Sequence, residues 1–452
     1  MESSRSSKAV RDHPLILLFA IFLAWKLCLL LITLASPGGG YDTSTSLLFD
    51  QQGSHNSASG EVGMLGRRWF NFVRWDAVYF THMSQHGHVY EQEWAFGMGL
   101  STAISGIARL LSKSFSFFSA QSSVLIAGLA LSHLAHWLSV IQLFALATTL
   151  TGSKKTTTPS LIPFYAAAFH ILSPAGVFLS APYTESLFAF FSISGFLAFV
   201  RAVHHSAHGP FTGCIGMIGA GIAFGTATFV RSNGILAGIT FVLAACATAF
   251  AILSQGPSLP RVSLLASVLV GGLLVAVGMV TPQVVAYMEY CNGRYPGQRR
   301  PWCEANIPSI FTWVQSHYWN VGPFRYWTLS NVPLFLLAAP TLWLLVYSAI
   351  DVLRNPGALL AAPSGSSSQI ATAQQKSAVM SLALPQLVLA VLALTSYHVQ
   401  IITRISSGYP LWYIWLAART QENTTRTAPI IRWMVIYALV QAGLYASFLP
   451  PA

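Results

Sequence analysis

Apolar runs long enough to cross a bilayer recur along this chain, and nothing else in the sequence constrains its fold as tightly. A helix needs about 20 such residues to span the hydrocarbon. Runs near that length lie at 15–35, 121–150, 159–180, 183–203, 211–230, 234–254, 262–288, 327–350, 379–398, 407–418 and 428–448, the run at 407–418 being the shortest. Strand-like alternation at regular spacing is missing, which argues against a β-barrel. The first run is too long for a signal peptide and lacks a small-residue cleavage site, so it reads as a retained signal anchor. The pattern predicts an all-α polytopic membrane protein with about eleven transmembrane helices. Composition agrees: of 452 residues, 54% are hydrophobic and only 8% are charged, against about 25% charged in soluble domains. That balance excludes an ordinary cytosolic enzyme and a disordered chain. The net charge of +11 does not point to nucleic acid, because the bases are scattered among apolar runs rather than gathered on a solvated face.

Sidedness follows from the bases. Arg5, Lys8 and Arg11 precede the first run and place the N-terminus in the cytosol. Segment 95–118 is mildly apolar but broken by Gly97, Gly99, Ser101, Arg109 and Lys113. If it lies in the interface without crossing, Lys154, Lys155, Arg201, Arg261, Arg354, Lys376, Arg419 and Arg426 all become cytosolic; if it crosses, most flip outward. The non-crossing reading gives a cytosolic tail (1–14) and one transmembrane domain (15–452). That domain carries lumenal loops at 36–118, with interfacial helices, and at 289–326, and a flexible cytosolic loop at 351–378. Cys28, Cys214 and Cys246 fall in apolar runs. Cys291 and Cys303 bracket a lumenal loop, where an oxidising compartment permits a disulfide, although spacing alone does not fix its geometry. The Asn-x-Ser/Thr site at Asn423-Thr424-Thr425 falls on the cytosolic side in this scheme.

The first lumenal region contains Arg67-Arg68-Trp69-Phe70-Asn71-Phe72-Val73-Arg74-Trp75-Asp76. A carboxylate beside aromatic rings at an interface is costly unless paired. Asp76 is therefore either one half of an ion pair with Arg74 or Arg68, or a general base that takes a proton from a hydroxyl nucleophile. His82, His86 and His88 follow, with Glu91 and Glu93 close behind. The Gly87 break and the lack of a familiar ligand spacing make a pocket lining a better reading than a metal site, so no metal is expected. Glu91 and Glu93 are alternative acids, or partners of these histidines. Glu185, in SAPYTES, either caps the following helix or binds a substrate hydroxyl; Glu289 ends a run.

Lumenal bases are almost all arginine: Arg67, Arg68, Arg74, Arg109, Arg231, Arg294, Arg299, Arg300, Arg325 and Arg404, with Lys113 the single lysine. Arginine offers a planar, bidentate fork to phosphate oxygens and stays charged. Such a set around one carboxylate suits a lipid phosphate leaving group, although some of it serves anionic headgroups or pairs with Glu289 and Glu304. Trp313, His317, Tyr318, Trp319, Phe324, Tyr326 and Trp327 add rings compatible with an interface belt or with stacking on sugar faces.

The run Arg74-Trp75-Asp76-Ala77-Val78-Tyr79-Phe80, followed by Tyr90-Glu91-Gln92-Glu93-Trp94-Ala95-Phe96, resembles the PIG-V family of GPI mannosyltransferases. So do SPAGVFLSAPYTES (173–186), RSNG (231–234), CNGRYP (291–296), RPWC (300–303), SHYWNVGPFRYW (316–327) and HVQIITR (398–404). The resemblance runs from about residue 15 through nearly the whole chain. One departure is Gly97-Met98-Gly99-Leu100, where relatives often place an early proline. The resemblance implies a GT-C fold in the endoplasmic reticulum membrane, and transfer of the second, α1,6-linked mannose from dolichyl phosphate mannose to the GPI anchor precursor. It places the family's lumenal acid on Asp76, which becomes the catalytic base. Its other recurrent segments fall on Glu91, Glu93, Pro182, Glu185, Arg231 and the 291–303 loop. The substrate-binding candidates are Arg74, Trp75, Glu91, Glu93, Glu185, Arg231, Arg299, Arg300, His317 and Arg404, with Arg74, Arg231, Arg299, Arg300 or Arg404 as the phosphate clamp. No cofactor is implied beyond the lipid-linked donor and acceptor; a small accessory membrane subunit, as in fungal relatives, is a further partner of this class. Because the donor sugar is β-linked and the product α-linked, one inverting displacement is expected.

The rivals are another dolichyl-phosphate-mannose-dependent GT-C enzyme with a different acceptor, a secondary transporter, and an assembly subunit. A transporter should show paired interrupted helices in two related halves, and no such symmetry is visible in the sequence.

Overall fold

Proline and glycine punctuate the apolar runs, and the helices begin and end where they fall. The computed structural model describes residue 10 and residues 12–37, 68–115, 119–151, 160–205, 210–295, 297–357, 359 and 373–449. Arg5, Lys8, Arg11, Arg67, Lys154, Lys155 and most of the 361–375 stretch lie outside them. The main helices are α1 (Pro14–Ala35), α2 (Asp76–His86), α3 (Gly99–Ser114), α4 (Ala120–Thr151), α5 (Ile162–Ile171), α6 (Thr184–His205), α7 (Pro210–Val230), α8 (Gly238–Gln255), α9 (Leu259–Tyr290), α10 (Ile310–His317), α11 (Val332–Arg354), α12 (Ala373–Thr395), α13 (Leu411–Glu422) and α14 (Thr424–Ala446). Prolines sit in the first turns of α1, α5, α7, α9 and α11, where the missing N–H is unneeded. No strand occurs among the described residues.

Among the described residues, nine of the eleven apolar runs form helices long and apolar enough to cross a membrane, so the protein is multi-pass. The runs at 159–180 and 407–418 differ. The first is the ten-residue α5, then Ser173-Pro174 and a 3₁₀ turn over Gly176–Leu179. The second is the twelve-residue α13, preceded by short turns over Val399–Ile401, Ile402–Ile405 and Ser406–Gly408. The residue before a proline is pushed out of the α region, and Pro174 and Pro410 mark both breaks. The two short helices pack on each other in the interior, and every described residue of α5 from Ala166 to Ile171 is buried. Irregular backbone is tolerated at membrane depth only where protein covers it. Helix α3 is 16 residues long, about 24 Å at 1.5 Å per residue, and short for a span. It lays Leu100, Ile104 and Ala108 on the bundle and leaves Arg109 and Lys113 exposed.

A small second core lies apart from the main one. Trp94, Tyr290, Trp302, Ile310 and Val314 close around Cys291 and Cys303, which are joined by a disulfide with Cα atoms 5.6 Å apart.

Candidate active site

Asp76 is the first residue of α2, and the chain reaches it through a tightly anchored turn. Asn71 donates to the Thr33 carbonyl at 3.0 Å and Arg68 to the Leu34 carbonyl at 3.2 Å, tying the segment to the end of α1. The buried Tyr445 hydroxyl donates to the Phe72 carbonyl at 2.8 Å, and the Tyr183 hydroxyl donates to the Arg74 carbonyl at 3.1 Å. Between these anchors Trp75 adopts φ 56°, ψ −129°, a conformation that costs a non-glycine residue about 1–3 kcal/mol. The turn sets the acid at the start of α2, where the helix dipole favours a negative charge.

The two breaks bring the partners of Asp76. Glu185 is the second residue of α6 and follows the first break. That stretch is held by Lys26 of α1, which donates to the Leu179 carbonyl at 2.7 Å and to Ser180 Oγ at 2.8 Å. Ser132 Oγ donates to the Ala181 carbonyl at 2.7 Å. Arg404 lies in the second break, and Arg231 follows the end of α7. Both Arg404 terminal nitrogens donate to Asp76 Oδ2 at 3.0 Å, and its Nε lies 3.6 Å from Glu185 Oε1. Arg231 donates to Glu185 Oε1 at 3.0 Å and to Thr184 Oγ1 at 2.7 Å. The Arg404 guanidinium also lies over the Phe178 and Tyr183 rings, 4.9 and 5.5 Å from their centroids.

This is a row of alternating charge: Asp76, Arg404, Glu185, Arg231. It is closed at one end and open at the other. The Glu185 side chain is 0% exposed, Arg404 13% and Arg231 19%, whereas Asp76 is 31% exposed. Asp76 Oδ1 makes no hydrogen bond among the described residues. Burial opposes the Arg404 charge, but Asp76 and Glu185 outweigh it and hold its pKa above the ordinary value. For Arg231 burial wins over Glu185 and lowers it. One carboxylate oxygen can therefore accept a proton beside two guanidiniums that can receive negative charge.

Glu91 and Glu93, the alternative acids, sit elsewhere and have both oxygens engaged. Glu93, 1% exposed, bonds His82 Nδ1 at 2.6 Å and accepts from the Val89 and Tyr90 backbone at 2.7 and 2.9 Å. Glu91 accepts from Trp302 Nε1 at 3.2 Å and the Tyr318 hydroxyl at 2.9 Å, and pairs with Arg300 at 3.3 Å. Both acids tie the 82–96 segment together or pin it to the disulfide-bearing loop. Arg299 is exposed and donates to the Arg294 carbonyl at 2.9 Å. His317 is exposed and stacks on Trp313 at 4.4 Å. Arg74 donates to Asn71 Oδ1 at 2.7 Å and covers the Phe448 ring at 4.8 Å, so the ion-pair partner of Asp76 is Arg404 rather than Arg74 or Arg68. Trp75 meets Phe448 edge-on at 5.5 Å. Among the described residues no three His, Cys, Asp or Glu side chains gather as a metal would need.

The glycines at 97 and 99 give the departure from the family pattern a local path. Met98 N donates to the Phe229 carbonyl at 3.3 Å. A Cβ on either glycine would come within 3.0 Å of Val230 atoms, and Gly97 has φ 74°. Only glycine lets this backbone pass the end of α7.

Residues 13–452 match the family model described as Mannosyltransferase (PIG-V). The chain belongs to the PIG-V mannosyltransferase family. It is an enzyme, a glycosyltransferase. It is 41% identical over 445 residues to the GPI mannosyltransferase 2 of Gibberella zeae, covering 98% of this chain and 99% of that one. It is 31% identical over 309 residues to the GPI alpha-1,6-mannosyltransferase 2 of Cricetulus griseus, covering 64% and 58%. A solved structure with some likeness is the Archaeoglobus fulgidus oligosaccharyltransferase tethered with an acceptor peptide, at TM-score 0.47 and 13% identity, covering 98% of this chain and 56% of that one. In this mannosyltransferase the two interrupted segments, a feature a transporter would share, carry Glu185 and Arg404 to Asp76.

Four contributors were not singled out from the sequence: Lys26, Tyr183, Thr184 and Tyr445. Lys26 carried a signal, since a lone lysine inside an apolar run is costly and asks for a partner. Tyr445 did not, because a tyrosine near a span end reads as interface belt.

Proposed function

We propose that this enzyme transfers the second, α1,6-linked mannose from dolichyl phosphate mannose to the GPI anchor precursor, on the lumenal side of the endoplasmic reticulum membrane, within a GT-C fold. The observation that carries the reading is the open Asp76 carboxylate fixed by Arg404, itself joined through Glu185 to Arg231. Asp76 Oδ1 takes the proton from the acceptor mannose hydroxyl. The resulting oxygen attacks the anomeric carbon of the donor mannose, and the bond from that carbon to the phosphate oxygen breaks. Dolichyl phosphate leaves with the bonding electron pair, and its growing negative charge falls to Arg404 and Arg231. One displacement inverts the β-linked donor to an α-linked product. The names of the Gibberella and Cricetulus proteins support the acceptor and linkage.

Residues of the second core, with Glu91 and Arg300, act in this scheme as a brace for the segment that follows α2. The assay is the purified protein with dolichyl phosphate mannose and a one-mannose GPI precursor, the product linkage being read by glycosidase digestion and mass spectrometry. An α1,6-linked second mannose is expected; transfer only to an unmannosylated precursor or to a protein serine would assign a different acceptor. Sidedness has its own check. Asn423 caps α14, its side chain accepting from the Thr425 and Arg426 N–H groups at 3.1 and 3.3 Å. It lies at the opposite end of the bundle from Asp76, so glycosylation at Asn423 in cells would reverse the assigned orientation.

A further inference from the structure

A cavity of about 370 Å³ opens between the end of α2, the exposed side of α3 and the first turn of α4. The reaction scheme makes no use of it, yet the groups that face it are mostly hydrogen-bond donors and none of its lining side chains is an acid. Arg109 projects from α3 and makes no ion pair among the described residues. His86 ends α2. Ser123 is 1% exposed, and its Oγ has no hydrogen-bond partner among the described residues; the Gln85 Nε2 amide nitrogen is likewise buried and unbonded among them. A buried donor without a partner costs about 1–3 kcal/mol, so these two groups ask for an acceptor that the described residues do not supply. The positive end of α4, a 32-residue helix, points the same way, since anions are favoured at helix N-termini.

The cavity and Asp76 are at the two ends of α2, which has 11 residues, about 15 Å at 1.5 Å per residue. That separation chooses between sources of phosphate. The donor phosphate is bonded to the carbon under attack, so it must lie beside Asp76 and cannot reach the far end of α2. The acceptor is a glycan on a phosphatidylinositol, and its phosphodiester is separated from the reacting hydroxyl by several sugar rings. We propose that this cavity receives the phosphodiester of the lipid-linked acceptor, with Arg109, Ser123 and Gln85 as its donors. The inference rests on the function proposed above and adds the subsite that measures the acceptor's length.

The test compares wild type with Arg109→Gln, Ser123→Ala and Lys113→Gln in the purified full chain. Lys113 carries the same charge on the same helix but does not line the cavity. Each protein is given the one-mannose glycosylphosphatidylinositol and a synthetic acceptor with the same glycan ending in inositol without phosphate. Arg109→Gln should raise KM for the lipid acceptor roughly tenfold, the scale of one charge-assisted hydrogen bond, and Ser123→Ala roughly threefold. Donor KM and kcat should hold, and Lys113→Gln should match wild type. On the phosphate-free acceptor all four proteins should be alike. An unchanged acceptor KM in Arg109→Gln overturns the proposal, as do an equal loss on the phosphate-free acceptor, a rise in donor KM, or an equal effect of Lys113→Gln. Wild-type protein that mannosylates neither acceptor overturns the function proposed above and this subsite with it. Wild-type transfer with unaltered variants overturns the subsite alone.

Discussion

Two acid–arginine clusters occupy the same end of the molecule, and they differ in what they leave unsatisfied. In the first, Asp76 has one oxygen held by Arg404 and the other open, and the pair is backed by Glu185 and Arg231. In the second, Glu91 and Glu93 have both oxygens engaged, by Trp302, Arg300, Tyr318, His82 and two backbone amides. A carboxylate with both oxygens engaged by neighbours of the same chain holds structure together. One with a free oxygen beside buried, paired guanidiniums can accept a proton next to positive charge. The first cluster is built on the ends of long helices and on two interrupted segments, the second on a short loop closed by a disulfide. In the proposed reaction the acid that takes the proton thus sits at a helix start on the bundle, and the loop braces what surrounds it.

The comparison can be broken by mutation. Asp76→Asn keeps the shape and removes the base, and kcat should fall by about 10²–10⁴-fold, with a modestly lower melting temperature because Arg404 loses one of its two counter-charges; Glu91→Gln should lower kcat by no more than a few-fold. A reversal of these two would exchange the roles of the clusters. Glu185→Gln removes the counter-charge that Arg231 and Arg404 share, and both are largely buried. Its destabilisation should be on the order of 3 kcal/mol, seen as a lower midpoint in thermal unfolding, together with lost transfer because Arg404 is no longer held against Asp76. Cys291→Ser with Cys303→Ser should lower the stability of the second core by about 3 kcal/mol, making the 291–303 loop a preferred site of limited proteolysis, while transfer by the intact chain at low temperature survives. The smallest effects belong to Arg299→Ala and His317→Ala. Both side chains are exposed and away from Asp76, and surface changes of this kind usually stay within about 0.5 kcal/mol, so activity and stability should both match wild type.

Much of this was legible in the amino-acid order. Apolar length alone marks eleven runs, nine of which form span-length helices among the described residues, and Asp76, Glu185, Arg231 and Arg404 fall among the charges that bilayer physics disfavours. The breaks were not legible. Residues 171–183 (ILSPAGVFLSAPY) and 407–418 are almost as apolar as a span, and hydropathy does not register that Pro174 and Pro410 interrupt the helix. The sequence also left Asp76, Glu91 and Glu93 as similar acids among aromatic neighbours. What separates them is pairing across more than 200 residues, as between Glu91 and Trp302 or Asp76 and Arg404, and a linear pattern holds no record of that. Arg299, Arg300 and His317 fell into one arginine- and aromatic-rich group with the site for the same reason. Arg300 ends on Glu91 in the second cluster, and the other two face outward.

The most direct measurement is an experimental structure of the full chain with dolichyl phosphate bound. The phosphate is expected against Arg404 and Arg231, with the position that the donor's anomeric carbon would occupy facing Asp76 Oδ1. A phosphate seated instead on Arg299, Arg300 and His317, beside Glu91, would contradict it.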